Sequence, residues 1–366
     1  MKEMRRTKIV ATIGPATTSE KTLLSLLRLG VNVFRFNLKY SPTEWHNQKI
    51  GLIRALSKKV KINVAIMIDI PSADFRIEIR DFDYVALSYL KTSKEVENLK
   101  GRLQKNKISA KVVAKIENGM AIKNLIPIIN SADGIMVARG DLGREIPIEE
   151  LAFFQKKIVD ECRRGGKPVI VATEMLYSMI NNPNPTRAEA TDVANAVFDG
   201  TDAVMLSEET AVGKYPIEAV SIMGKILSFC ENTGELRNVE IVAKTLTDAI
   251  AESAAKMTRD KLDKPIKAVV TFTRGGTTTR IMSRYRLAVP LIAICNDTQV
   301  LNQLCLSYGA IPYYKTFKNE VYTGEDPVFE ELKNSNWLKK GDTIVIVHGD
   351  SWFGLGPANR LSVRTI

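Results

Sequence analysis

The sequence predicts a (β/α)8 barrel followed by a smaller open α/β domain. Three observations lead there. Eight short apolar runs recur through the first two-thirds of the 366-residue chain. Stretches of helical periodicity separate most of them. The pattern then restarts after about residue 239 with different spacing. Near-continuous apolar runs are what parallel strands buried on both faces require. Eight such strands with intervening helices read as a barrel.

The predicted barrel strands are 8–12, 31–36, 64–70, 84–88, 111–116, 134–137, 169–172 and 203–206. Helical patterns cover 19–29, 43–56, 93–104, 148–162, 187–198 and 216–229, giving a barrel domain over 1–235. One unit is irregular: only residues 71–83 separate the third and fourth strands. A parallel crossover needs about a dozen residues, usually with a helix. This one is either a helix reduced to a turn or an extended connection. The second domain, 240–366, is predicted to open with a helix at 246–257. Strands follow at 268–272, 290–293, 311–314 and 343–347, with helices at 277–285 and 297–306. Residues 315–338 are charged and poorly periodic, and read as surface loop and short helix.

Composition narrows the class of function. Hydrophobic residues make up 45% and charged residues 25%, ordinary values for a chain with a sizeable core. No apolar run is long enough to cross a bilayer. The N-terminus runs straight into a strand pattern without a signal-peptide apolar region. The expectation is therefore a cytoplasmic protein with no membrane partner. Cys162, Cys230, Cys295 and Cys305 show neither CxxC spacing nor a nearby His cluster, which argues against zinc and a disulfide framework. The net charge of +11 is spread along the chain without a basic, aromatic-interleaved run. It suits anionic small molecules and no nucleic acid.

Functional groups of a barrel sit at the carboxyl ends of its strands. Lys115 and Glu117 lie two apart at the end of the fifth strand, so both point into the mouth. Aimed inward, such a pair is costly unless it is paired or bound to something. Just past the sixth strand, Asp141 lies between Gly140 and Gly143, and glycine lets backbone approach a ligand. Alone it would read as a turn aspartate. With Glu117 it makes a two-carboxylate site, and Mg2+ typically takes one or two carboxylates plus water and substrate oxygens. Thr173 places a hydroxyl at the end of the seventh strand; alone it would read as a helix cap. The second strand offers Arg35 and Asn37 on one face, and arginine suits phosphate. A cation, a lysine, an arginine and a hydroxyl together suit an oxyacid carrying a phosphoryl group.

At these residues the sequence resembles pyruvate kinase. The segments that carry the resemblance include Thr7-Lys8-Ile9-Val10-Ala11-Thr12-Ile13-Gly14-Pro15, Lys115-Ile116-Glu117-Asn118, and Met136-Val137-Ala138-Arg139-Gly140-Asp141-Leu142-Gly143. Pro185-Thr186-Arg187-Ala188-Glu189-Ala190 and Asp199-Gly200-Thr201-Asp202-Ala203-Val204-Met205-Leu206-Ser207 complete them. The resemblance implies that Glu117 and Asp141 hold Mg2+ or Mn2+, and that Lys115 stabilises the transferring phosphoryl group and the enolate. It implies that Thr173 lies near the protonated face of the enolate and that Arg35 contacts phosphate. Ser88 and Gly140 fall on the substrate side, and Thr12, Pro15, Asn37 and Arg76 near the nucleotide. The implied partners are phosphoenolpyruvate and pyruvate, ADP and ATP, and further copies of the chain in a tetramer.

The chain also departs from that family. The Asp-Thr-Lys-Gly-Pro-Glu-Ile-Arg segment reads here Asp69-Ile70-Pro71-Ser72-Ala73-Asp74-Phe75-Arg76. The lid domain that pyruvate kinases insert next has no counterpart near 71–83. The monovalent-cation segment keeps Asn37 and Asp69 but carries Lys39 in place of a serine ligand. One expectation is that the Lys39 ammonium replaces K+ beside Asp69; the other is that it points to solvent. In the second domain, Thr273, Gly275, Gly276, Thr277 and Thr278 precede or open a helix where the family binds a sugar-phosphate effector. The leading expectation is phosphoenolpyruvate plus ADP to pyruvate plus ATP. Its alternatives are nucleotide-independent enolate chemistry, such as oxaloacetate decarboxylation or pyruvate enolisation, and a non-catalytic phosphoenolpyruvate-binding protein.

Overall fold

The computed structural model describes residues 5–234, 236–316, 327–350 and 356–366. The chain divides into two compact units. One is Thr7–Val239; the other is Glu240–Ile366 together with the N-terminal residues through Arg6. Arg6 belongs to the second unit because its carbonyl accepts the Gly309 N–H at 2.9 Å and its guanidinium donates to the Ala288 carbonyl at 3.2 Å.

The first unit is a closed barrel of eight parallel strands in sequence order. They are β1 (Lys8–Thr12), β2 (Val33–Asn37), β3 (Ala65–Ile70), β4 (Tyr84–Leu87), β5 (Lys111–Ile116), β6 (Gly134–Ala138), β7 (Val169–Ala172) and β8 (Ala203–Leu206). Alternate residues face opposite ways. Ile9, Ala11, Phe34, Phe36, Ile66, Ile68 and Ile116 join the helix residues Leu23, Leu26, Ile50 and Ile53 in the main core. The residues between them, Thr12, Arg35, Asp69 and Lys115, are buried on the opposite face.

The helices that clothe the barrel are α1 (Glu20–Arg28), α2 (Thr43–Val60), α3 (Ser93–Lys105), α4 (Gly119–Lys123), α5 (Leu125–Ser131), α6 (Arg139–Glu145), α7 (Leu151–Gly165), α8 (Arg187–Phe198), α9 (Glu208–Ala211) and α10 (Pro216–Thr233). The Pro185–Ala190 motif is in part a helix start. Thr186 and Glu189 form a capping box, and the Glu189 carboxylate also takes the Ser178 N–H and hydroxyl, both at 2.6 Å. The short helix α9 was not expected, and two further features differ from or refine the sequence expectation. The β5–β6 connection holds α4 and α5, where no helix was expected. Pro127 disguises α5, although proline is tolerated in a first turn. Asp141, read from sequence only as lying just past the sixth strand, is in the first turn of α6.

Residues 71–83 contain neither helix nor strand. Ala73, Phe75, Ile77 and Ile79 are half-buried or buried, whereas Ser72, Asp74, Arg76, Glu78 and Arg80 are exposed. Such period-2 alternation marks an extended segment laid against the barrel flank. An extended chain advances about 3.3 Å per residue against 1.5 Å for a helix, so the return can be made without a helix.

The second unit is a five-stranded sheet in the order β11-β10-β9-β12-β13. Its strands are β9 (Ile266–Phe272), β10 (Leu291–Cys295), β11 (Ala310–Tyr314), β12 (Thr343–His348) and β13 (Arg360–Thr365). All pair in parallel except β13, which runs antiparallel to β12. β13 was not expected, because its alternation of Leu361 and Val363 with Arg360, Ser362 and Arg364 is only half apolar. Helices α11 (Leu246–Arg259) and α12 (Thr277–Ser283) pack on one face, and α14 (Pro327–Asn334) packs on the other. Helix α13 (Thr298–Leu304) follows β10. Part of the stretch expected as loop and short helix, residues 317–326, lies outside the described residues. Among the described residues no helix is long and apolar enough to cross a membrane. All four cysteines are buried.

Candidate active site

Strand register assembles the site. β1 and β2 place Thr12 opposite Arg35, and β2 and β3 place Asn37 opposite Asp69. The Arg35 guanidinium donates to Asp69 Oδ2 through Nε at 2.9 Å and Nη2 at 2.6 Å, and to Thr12 Oγ1 through Nη1 at 2.9 Å. The Lys115 ammonium sits 2.8 Å from Glu117 Oε1 and 3.2 Å from Asp69 Oδ2, and donates to Ser88 Oγ at 2.8 Å. Ser88 in turn donates to Asp69 Oδ1 at 3.0 Å. All six side chains of this network are buried. Burial pushes the Asp69 pKa upward, but Arg35 and Lys115 outweigh it and hold the carboxyl below its ordinary value.

Glu117 is completely buried, and burial pushes its pKa up against the pull of Lys115. Its second oxygen accepts the Tyr89 N–H at 2.5 Å. The charge of Asp141, followed by burial and the charge of Glu117, raises the pKa of the Tyr89 phenol. Tyr89 thus donates its N–H to one predicted metal ligand and feels the charge of both. Among the described residues no group of three or more His, Cys, Asp or Glu could cage a metal. Two acidic groups, one wholly buried and favouring a cation, fit an ion that completes its shell with water and substrate oxygens.

Thr173 has φ +69° and Glu174 has φ +56°, a left-handed pair that is strained for non-glycine residues and most of all for a β-branched one. The Thr173 hydroxyl accepts the Gly140 N–H at 2.7 Å, which joins the end of β7 to the first turn of α6. Arg139 braces the turn: it donates to the Thr173 carbonyl at 2.9 Å and pairs with Asp192 at 2.7 Å.

A cavity of about 330 Å³ adjoins this cluster. It is lined by Thr12, Pro15, Arg35 and Asn37 from the predicted set, and by Tyr40, Trp45, Glu208 and Val212. Its floor requires Gly14, because a Cβ there would meet the Ala211 carbonyl oxygen at 2.5 Å. Tyr40, Trp45, Tyr89 and Arg139 were not selected from sequence. The only signal for Tyr89 was its place directly after Ser88.

One expectation is corrected, and one pair of alternatives, for Lys39, falls to the solvent-facing reading. Arg76 does not reach this cavity: it lies on the outer face of the extended 71–83 run and pairs with Glu78 at 3.0 Å. Lys39 is exposed, with its ammonium over the Tyr40 ring at 5.9 Å, while Asn37 Oδ1 accepts the Lys39 N–H at 3.1 Å. The positive charge beside Asp69 comes from Arg35 and Lys115. In the second unit, Thr273, Gly275, Thr277 and Thr278 line a separate cavity of about 630 Å³ with Thr245, Thr247 and Arg274. Gly276 does not line it: with φ +80° it donates its N–H to Thr273 Oγ1 at 3.0 Å and so shapes that loop.

Comparison with known proteins agrees with this fold. The profile "Pyruvate kinase, barrel domain" matches residues 4–81 and 72–220, and "Pyruvate kinase, alpha/beta domain" matches residues 248–364. The chain belongs to the pyruvate kinase family. The pyruvate kinase of Dictyostelium discoideum is 32% identical across 99% of this chain and 94% of its own length. That of Geobacillus stearothermophilus is 31% identical across 99% of this chain and 80% of its own. A crystal structure of a pyruvate kinase from Cryptosporidium parvum superposes with a TM-score of 0.87 at 25% identity, over 99% of this chain and 96% of that one. The Geobacillus alignment spans 475 positions, more than the 366 residues present here. The barrel profile itself breaks at 72–81, within the connection that lies flat on the barrel.

Proposed function

We propose that this chain transfers the phosphoryl group of phosphoenolpyruvate to ADP, giving pyruvate and ATP. The observation that carries the reading is the buried Lys115 ammonium, held by Ser88, Asp69 and Glu117 beside the Arg35 guanidinium. Family membership favours this reaction over nucleotide-independent enolate chemistry and over a purely binding role.

When the phosphoryl group leaves, the enol oxygen becomes an enolate. A fixed ammonium in a site of low dielectric stabilises that charge without reorganising. Arg35 faces the same cavity and supplies donors suited to a phosphate. Glu117 and Asp141 would hold Mg2+ or Mn2+, which supplies Lewis-acid neutralisation of phosphoryl and enolate oxygens. Thr173 holds its hydroxyl against the Gly140 N–H, where it can pass a proton toward the enolate carbon. The nucleotide would lie in the cavity with its base against Pro15, Tyr40 and Trp45 and its phosphates toward Arg35. The site takes small-molecule substrates, and the family implies a cytoplasmic homo-oligomer, testable by light scattering.

A coupled assay of pyruvate and ATP from phosphoenolpyruvate, ADP and Mg2+ tests the reaction. Lys115→Ala is expected to lower kcat by about 10²–10³-fold or more. Activity unaffected by that substitution would sink the reading. The cavity of the second unit is the place for a sugar-phosphate effector. A rise in melting temperature with fructose bisphosphate supports that role, and no shift counts against it.

A further inference from the structure

Residues 71–83 are committed along their length to the flank of the barrel. Ala73, Phe75 and Ile77 pack on the core, and Ile79 and Phe82 are buried. Arg102 of α3 donates to the carbonyls of Ala73 and Phe75. Asn47 of α2 accepts the Arg80 N–H at 3.0 Å, and Arg54 pairs with Asp81 at 3.2 Å and Asp83 at 2.7 Å. Nothing in this segment is left to fold over the mouth. The walls of the nucleotide cavity are correspondingly open, with Tyr40 62% and Val212 57% exposed. Closure over a phosphoryl-transfer site keeps water from the reacting group.

We propose that this chain also hydrolyses phosphoenolpyruvate when ADP is absent, with water entering the open cavity as phosphoryl acceptor. The inference rests on the phosphotransfer reading above. The water oxygen forms a new bond to phosphorus, and the bond from phosphorus to the enol oxygen breaks. The electron pair stays on the enolate, which takes a proton at carbon and becomes pyruvate. Of water's two protons, one stays on its oxygen as the hydroxyl of hydrogen phosphate, and the other balances the proton taken up at the enolate carbon. No oxidant or further reactant is needed. Lys115 stabilises the same leaving enolate in both routes, and only the acceptor differs. An oriented, bound nucleophile has an effective molarity on the order of 10⁵ or more, far above that of liquid water. Bound ADP therefore wins, and hydrolysis emerges when the cavity is vacant.

The full chain is incubated with Mg2+ and phosphoenolpyruvate in ¹⁸O-enriched water, without ADP and then with rising ADP. Phosphate is followed by ³¹P NMR, pyruvate with lactate dehydrogenase, and ATP with luciferase. The expected result without ADP is equal phosphate and pyruvate, with one ¹⁸O per phosphate, at least tenfold faster than in Lys115→Ala. Phosphate then gives way to ATP as ADP rises. Lys115→Met keeps the packed side-chain stem and serves as control if the alanine variant fails to fold. ATP formed with ADP, but no phosphate without it, overturns the inference and leaves the kinase reading standing. Neither product overturns both. Phosphate released equally by wild type and Lys115 variants overturns the inference by placing hydrolysis elsewhere.

Discussion

Two crossovers of the same barrel have opposite characters. The β6–β7 connection is elaborated: α6, a turn of 3-10 helix at Ile148–Glu150, and α7. It supplies Gly140 and Asp141 to the mouth and sends Arg139 back to brace Thr173. The β3–β4 connection is an extended strap, and its two arginines, Arg76 and Arg80, are both exposed. The cluster of Arg35, Asp69 and Lys115 is independent of this difference, because strand register and mutual ion pairing hold it in place and neither involves the strap. The reacting groups and their cover are separable parts of this fold.

The sharpest way to break that comparison is to attack the self-supporting cluster. Asp69→Asn leaves Arg35 and Lys115 buried without their shared carboxylate, and is expected to cost about 3–5 kcal/mol of stability. Urea unfolding at neutral pH measures it, and a loss under about 1 kcal/mol would mean the cluster does not hold itself together. The pH dependence adds a second reading. The folded pKa of Asp69 is depressed, so its contribution is present above the unfolded value of about 3.9 and is lost as pH falls through the lower folded value. Glu117 has the opposite sign, because its raised folded pKa favours the folded state at low pH and that favour fades as pH rises. Asp69→Asn should therefore flatten the acid-side loss of stability.

The elaborated crossover is tested through Arg139, a positioning residue. Arg139→Gln is expected to let the strained Thr173–Glu174 turn relax and to lower kcat about 10²-fold. A double-mutant cycle separates positioning from general damage. If Arg139 acts through Thr173, adding Arg139→Gln to Thr173→Ala lowers kcat little further. Additive losses would sink this role. Mn2+ affinity, read by electron paramagnetic resonance, should change less than twofold, because Asp141 and Glu117 are untouched.

The barrel was legible because parallel strands buried on both faces leave continuous apolar runs, such as Ile66–Ile68 before Asp69. Lys115 and Glu117 were legible because a strand repeats every two residues, and Asp141 because it lies between nearby glycines. Partnerships across sequence were not. Nothing local tells that Asp69 will be taken by Arg35 from the neighbouring strand, leaving Lys39 with no part in it. Nor does local sequence show that Arg139 reaches Asp192, 53 positions away. Arg76 matched a motif position, but the burial alternation of 71–80 turns it outward. That alternation was readable, and its meaning depended on the strap lying flat.

The smallest expected effect is in the strap itself. Arg102→Ala removes a charged donor from the carbonyls of Ala73 and Phe75. Charge-assisted hydrogen bonds contribute roughly 1.5–3 kcal/mol. The Ala73 and Phe75 backbone is only half-buried and can turn to water, so about 1 kcal/mol is the expected loss. Because no side chain of the strap reaches the reacting groups, kcat and the ADP KM should stay within twofold. The phosphate released without ADP should be equally unmoved, since the strap already excludes no water. A fall in that phosphate in Arg102→Ala would mean that the loosened strap can shield the mouth, and that cover and chemistry are coupled after all.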